Sequence, residues 1–232
     1  MARHAVIALA FFAASLAGCA IKPQGFVPLT ENAVSPQNGR LGVAMTALPK
    51  VDTHLPGAGC LLCMIAASAS NSGLSKHSQT LPYEDLPKLR DSIAELLRKK
   101  GVEVVVVNDD IRLEDLSDIR SETPNLALKD HTPLKKKYGI DRLLVVNITT
   151  LGFIRTYSSY FPTSDPKGVL QGAGYIVNLS NNTYDWYLPV NVTRSADKSW
   201  DEPPSYPGLT NAYFQVLEIA KDTFLQPFSQ GK

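Results

Sequence analysis

The chain has 232 residues, of which 44% are hydrophobic, with 23 basic and 22 acidic side chains for a net charge of +1. That length and apolar share suit one packed domain, or one domain with an appendage. Near-neutrality gives no general attraction for nucleic acid or anionic lipid, which excludes nucleic-acid binding as the expected role.

Residues 1–18 read as an address rather than as fold. Arg3 gives a positive start, an apolar run extends from Ala5 to Leu16, and the segment ends in Leu16-Ala17-Gly18-Cys19. About twelve apolar residues are too few for a helix that must cross ~30 Å of hydrocarbon. Small residues before the cysteine let an extended backbone enter a peptidase cleft, and the thiol offers a site for acylation. This segment resembles the lipobox of bacterial lipoproteins. The resemblance implies a signal peptide over residues 1–18, cleavage between Gly18 and Cys19, and lipid on Cys19. Several acyl chains anchor firmly where one, at ~0.8 kcal/mol per buried CH₂, binds only marginally. Ala20 stands where inner-membrane members carry aspartate. The resemblance therefore implies an outer-membrane anchor facing the periplasm. Removing residues 1–18 takes away Arg3 and leaves 22 basic against 22 acidic residues.

Residues 19–39 hold Pro23, Pro28, Pro36 and two glycines with few apolar side chains, which predicts a flexible tether. Residues 40–232 are then expected to form a single periplasmic α/β domain. Arg40 to Leu48 reads as a buried strand ended by Pro49, and residues 50–59 as a loop. Cys60 to Ala69 (CLLCMIAASA) is an apolar run too short to span a bilayer. It fits either a core helix or a helix that docks on a membrane surface or a partner.

Leu86, Leu89, Ile93, Leu96 and Leu97 recur at helical spacing within 83–100, with Glu84 and Asp85 early, Arg98 to Lys100 late and Gly101 as terminator. Val102 to Val107 (VEVVVV) is a strand suited to burial on both faces. A short helix follows through Leu113, Leu116 and Ile119. Another opens at Thr132 as N-cap with Pro133 behind it and stops at Gly139. Arg142 to Ile148 (RLLVVNI) is a second buried strand that continues to about Arg155, followed by a turn-rich loop over 161–168. Val169–Leu179 and Thr183–Val190 form a hairpin turning at Asn181-Asn182, with Tyr184, Trp186, Leu188 and Val190 on one face. After a polar loop over 191–208, a helix from about Leu209 to Gln226 carries the apolar stripe Leu209, Tyr213, Val216, Ala220 and Phe224.

The order is β-α-β-α-β-β-β-α. It predicts an α/β (α+β) fold with a mixed sheet of about five strands and helices packed on it. In RLGVAMTAL, the 83–100 helix before VEVVVV, and RLLVVNI before the hairpin, the chain resembles envelope α/β domains of the TolB amino-terminal, CsgG and LpoB type. That resemblance covers roughly residues 40–226 and rests on element order. It implies action through protein contact in the cell envelope, as a scaffold or activator.

Cys60 and Cys63 are the sharpest pair in the domain. Their spacing fits a structural disulfide, a redox pair, buried thiols, or half of a metal site that would need His54 and His77. The spacing resembles the thioredoxin active site, but the neighbouring tryptophan and central proline are missing. Fourteen of nineteen aromatic residues lie between 153 and 228. Tyr157, Tyr160, Phe161 and Trp186 are therefore candidates for partner binding, since aromatic side chains dominate interface hot spots. Ser164-Asp-Pro-Lys167 and Ser195-Ala-Asp-Lys198 match SxxK but lack its companion motifs. Glycosylation sequons at Asn147, Asn178, Asn181 and Asn191 carry no weight in a bacterial chain. No catalytic residue, resident metal or cofactor is assigned.

The leading expectation is a non-catalytic binding or assembly factor of an envelope complex. It would be held to membrane by lipid on Cys19, with envelope protein partners and homo-oligomerisation compatible with that role. The alternatives are a periplasmic thiol–disulfide oxidoreductase using Cys60 and Cys63, and a small-ligand carrier or sensor.

Overall fold

The computed structural model describes residues 23–229. The signal peptide and lipobox expected over residues 1–19, Gly18 and Cys19 included, lie outside the described residues. The fold is α/β, as the element pattern predicts. In chain order the strands are β1 (Leu41–Met45), β2 (Asp52–His54), β3 (Val104–Val106), β4 (Arg142–Ile154), β5 (Tyr157–Ser158), β6 (Phe161–Pro162), β7 (Lys167–Asn178) and β8 (Thr183–Ser195). The helices are α1 (Leu61–Ser70), α2 (Ser72–Ser78), α3 (Leu89–Lys99), α4 (Pro133–Tyr138) and α5 (Pro207–Ser229).

The main sheet runs β3-β1-β4-β7-β8, with β2 also paired to β4. β1 lies parallel to both β3 and β4, β2 lies parallel to β4, and β4-β7-β8 is antiparallel. The small β5-β6 ribbon stands apart. One face of the sheet is covered by α3 and α5. The helical spacing seen in the sequence places Leu89, Ile93 and Leu97 of α3, and Leu209, Tyr213, Val216, Ala220 and Phe224 of α5, in the principal core. The other face packs Val145, Tyr175 and Val177 against Ile111, Ala127, Leu134 and Ile140 from the 108–140 region. β1 is buried at every position, which explains its unbroken apolar run.

Several local expectations change. The helix read as 83–100 begins with a 3₁₀ turn over Leu86–Lys88 and becomes α-helical at Leu89. Leu113–Asp115 is a single 3₁₀ turn. Thr132 does not cap α4 with its side chain; Asp130 Oδ1 accepts hydrogen bonds from the Thr132 N–H (3.0 Å) and hydroxyl (2.6 Å) instead. Residues 50–59 contain a strand, β2, where a loop was expected. On β8 the register shifts so that Ile176 faces Trp186 and Val177 faces Tyr184, which leaves Asp185 as the extra residue. The bulge sends Tyr184 to the second face, among Tyr175 and Tyr187, and leaves Trp186 in the principal core.

The tether reading also changes for residues 23–39. Val27 bridges Tyr187 through two backbone hydrogen bonds of 2.9 and 3.0 Å. Thr30 and Ser35 cap short 3₁₀ turns at Glu31–Val34 and Pro36–Asn38, and Ala33 is buried. The buried guanidinium of Arg142 donates to the carbonyls of Asn32 (3.0 Å), Ala33 and Ser35 (3.2 Å). Proline content suggested a loose linker. A charged donor at the start of β4 instead draws the segment into a strap, because a buried guanidinium needs those acceptors.

Arg142→Met should therefore cost about 2–4 kcal/mol in urea unfolding and expose residues 27–39 to protease, with unchanged stability the contrary result. His131 gives a second prediction. It is buried, its Nδ1 donates to the Lys129 carbonyl at 2.8 Å, and Nε2 has no partner. Burial holds this imidazole below its ordinary range. The unfolded imidazole takes a proton at about 6.5, the folded one only at lower pH. The His131 contribution is therefore complete above about pH 6.5 and drains away as pH falls below it. Melting temperature should drop between pH 7 and pH 5, and His131→Phe should flatten that drop; an unaltered slope would remove His131 from the account.

Candidate functional site

At the C-terminal end of β4 the chain builds a surface with the wrong polarity for a solvated helix. Cys60 sits at the N-cap of α1 and is joined to Cys63 by a disulfide, with Cα atoms 4.9 Å apart. Cys60 Sγ also accepts the Cys63 backbone N–H at 2.9 Å. A bridge between residues three apart constrains the first turn of α1 and little else.

Within α1 only Cys63 and Ala67 are buried. They meet Ala58 and Tyr157 in a small cluster separate from the two main cores, with Leu55 against it. Leu61, Leu62, Ile65 and Phe161 are 79%, 65%, 56% and 74% exposed, and Met64 and Tyr160 stand out beside them. Of the two helix readings open at the sequence level, core burial is overturned. The residues four apart that α1 turns inward are the small ones, so its large side chains are left outside.

The β5-β6 ribbon lies against this helix. The Tyr160 hydroxyl is 3.8 Å from Cys60 Sγ, and the Ser159 N–H donates to the Gly57 carbonyl at 3.1 Å. Gly57 has φ +90°, and a Cβ there would overlap the Tyr157 carbonyl, so only glycine permits this approach. Asn71, buried between α1 and α2, ties the parts together. Its Nδ2 donates to the Ala67 carbonyl (2.7 Å) and the Tyr157 hydroxyl (2.7 Å), and its Oδ1 accepts from Arg155 (3.1 Å). Arg155 in turn donates to the Ser164 carbonyl and lies over the Trp200 ring, 4.8 Å from its centroid.

The aromatic candidates divide accordingly. Tyr160 and Phe161 are at the surface, beside α1. Tyr157 and Trp186 are not: Tyr157 is the buried floor under α1, and Trp186 packs edge-on against Phe228 in the core. Both are thereby removed as contact residues. Their rings supply the apolar area that holds α1 and α5 in place. The signal that the sequence reading passed over is Asn71, whose role depends on Arg155 and Tyr157, more than eighty residues further along the chain.

The histidines flanking the cysteines are engaged elsewhere. His54 Nε2 is 3.3 Å from the Leu151 carbonyl, and His77 Nε2 is 2.7 Å from the Thr210 hydroxyl. Among the described residues no three His, Cys, Asp or Glu side chains gather as a metal site, and no helix is long and apolar enough to cross a membrane. Among the described residues, two hollows bear on the two ends of the sheet. One, of about 460 Å³, runs between Met64 and Ser68 of α1 and His54, Ile154 and Gln171. The other, of about 640 Å³, lies beneath the strap at the opposite end, lined by Asn32, Arg142, Tyr184 and Asp185 among others. There burial raises the Asp185 carboxyl above its ordinary range while the Arg142 charge opposes the shift.

No family model matches this chain, and no curated protein does. Among solved structures it is similar to a PelC dodecamer from Paraburkholderia phytofirmans, at 9% identity over 84% of this chain and 96% of that one, with a TM-score of 0.31. It is also similar to protein XCC0632 from Xanthomonas campestris, at 11% identity over 80% and 82%, with a TM-score of 0.32. Lipoprotein GNA1162 from Neisseria meningitidis matches at 14% identity over 78% and 97%, with a TM-score of 0.27. Likenesses this distant assign the chain to no family and give it no function.

Asn71→Leu keeps the branching at Cγ and removes all three links. It should weaken the seat of α1 by about 2–4 kcal/mol. Amide exchange should speed up across residues 61–70 while β4 and β7 stay protected; uniform protection would show that Asn71 does not hold the helix.

Proposed function

We propose that this chain is a bacterial envelope lipoprotein, held through lipid on Cys19, that acts by contact as a binding or assembly factor rather than by catalysis. The observation that carries the reading is the exposed apolar face of α1. Water-facing Leu61, Leu62 and Ile65, with Phe161 beside them, cost free energy in a solitary protein and repay it when covered. The Leu16-Ala17-Gly18-Cys19 sequence supports the anchor, and Ala20 supports placement on the outer membrane, facing the periplasm. Contact with an envelope protein partner is the output that such a surface offers.

A redox reading draws on one feature: Cys60 is exposed at a helix N-cap while Cys63 is buried, so the two sulfurs differ in access. The same exposed and uncharged helix serves a contact role without any turnover of the bridge.

Intact mass of the membrane-extracted protein should show loss of residues 1–18 and gain of acyl chains on Cys19, both abolished in Cys19→Ser. A mature chain without acyl mass would remove the anchor. In a deletion strain with an envelope defect, Cys60→Ser/Cys63→Ser should complement substantially, whereas Leu62→Asp should not. The reverse pattern would favour redox chemistry over contact.

A further inference from the structure

From the α1 face and the β5-β6 tip we infer that the occupant of this surface is a second copy of the same chain, paired through α1 about a two-fold axis. The inference rests on the contact reading above and names the partner. Three observations carry it.

The first is area. Taking on the order of 200 Å² for each large side chain, the scale that aromatic ones set, the four aliphatic and two aromatic side chains of the patch offer roughly 700 Å² at the observed exposures. That exceeds the ~300–600 Å² of the largest apolar patch on a typical monomer. It approaches the ~800 Å² that each partner contributes to a standard interface.

The second is charge. Residues 55–75 and 156–164, which carry α1 and the ribbon, contain no Lys, Arg, Asp or Glu. In a two-fold contact each residue meets the same surface on the other copy, so any net charge would face its own sign. An uncharged face meets itself without that repulsion. It also lacks the basic residues with which interfacial helices engage anionic lipid.

The third is where the chain enters the domain. Val27 pairs with Tyr187, Tyr187 with Tyr175, and Tyr175 with Val145. β2 and α1 adjoin the other end of β4, at Ile154. From Val145 to Ile154 is about nine residues, or ~30 Å of strand. The eight residues from Cys19 to Val27 span at most ~28 Å when fully extended. The described chain thus enters the domain about 30 Å of strand from the α1 face, and only a fully stretched tether would bring a lipid on Cys19 near it, which favours a neighbour over the anchoring bilayer as the occupant.

The test is photo-cross-linking in cells. A benzophenone amino acid is placed at the exposed position 69 of full-length chain, and two differently tagged copies are co-expressed. Irradiation should give an adduct carrying both tags, reduced at least tenfold by Leu62→Asp and by Ile65→Lys. Both substituted side chains face solvent, and an unchanged thermal melt would verify that the fold survives. An adduct with lipid, an adduct only with another protein, or no adduct would each overturn the second-copy inference. If the homotypic adduct is absent while Leu62→Asp still abolishes complementation, the inference fails and the contact reading stands. If the homotypic adduct forms and Leu62→Asp complements fully, pairing occurs without the proposed function.

Discussion

Strand β4 is thirteen residues long, and one of its edges serves two partners. β1 occupies Arg142 to Val146 and β2 occupies Gly152 to Ile154, both in parallel, while β7 runs along the whole of the other edge. The chain therefore leaves the sheet after β1 and returns to the same edge at β2. Two features of β4 allow this. A register shift between Ile148 and Thr150 breaks the ladder toward β7, and Gly152 sits at φ +125° where any Cβ would overlap the Asp52 backbone. With β2 fixed there, the next residues emerge at the end of the sheet. α1 has to form over the β5-β6 ribbon rather than over the core.

That placement decides what α1 can bury. The principal core is already filled from one side by α3 and α5, and the opposite face by the 108–140 region. Only Tyr157, Ala58 and Leu55 remain as a seat for α1, and such a seat accepts small inward residues. Cys63 and Ala67 are small, and they stand four residues apart on one stripe. The larger residues of the segment then face outward because no cavity is left to receive them. The Cys60–Cys63 bridge fixes the turn from which the first two leucines project, so the apolar face is presented in one orientation.

Much of the fold was legible because it rests on local periodicity. The stripes of α3 and α5 and the β-branched run of β4 state their burial in sequence, and the hairpin of β7 and β8 its pairing; the run of β3 marks a strand, but at the sheet edge it is only partly buried where burial on both faces was expected. What was not legible depends on contacts between distant residues. β2 is three residues long with no apolar run, and only its pairing with β4 makes it a strand. The β8 bulge flips Tyr184 away from Trp186, which no alternation rule foresees. The strap looks like a linker until Arg142, more than a hundred residues later, supplies its donors. Tyr157 and Phe161 lie four residues apart in one aromatic run, and tertiary packing alone separates a core ring from a surface one.

The two ends of the sheet thus carry different physics. At the strap end, charge and hydrogen bonding dominate: a buried guanidinium binds three carbonyls, a half-buried carboxylate faces it, and the polypeptide enters there. At the α1 end no formal charge is present over two whole segments, and exposed apolar area dominates. Charged, hydrogen-bonded surface is already satisfied by water and by itself, so covering it gains little. Uncharged apolar surface gains from being covered in proportion to its area. The separation therefore gives the domain a direction, with the hydrogen-bonded strap at one end and the uncovered apolar face at the other. It also goes with a helix that buries only its small residues, Cys63 and Ala67: a helix committed to the core could not offer its large side chains to anything else.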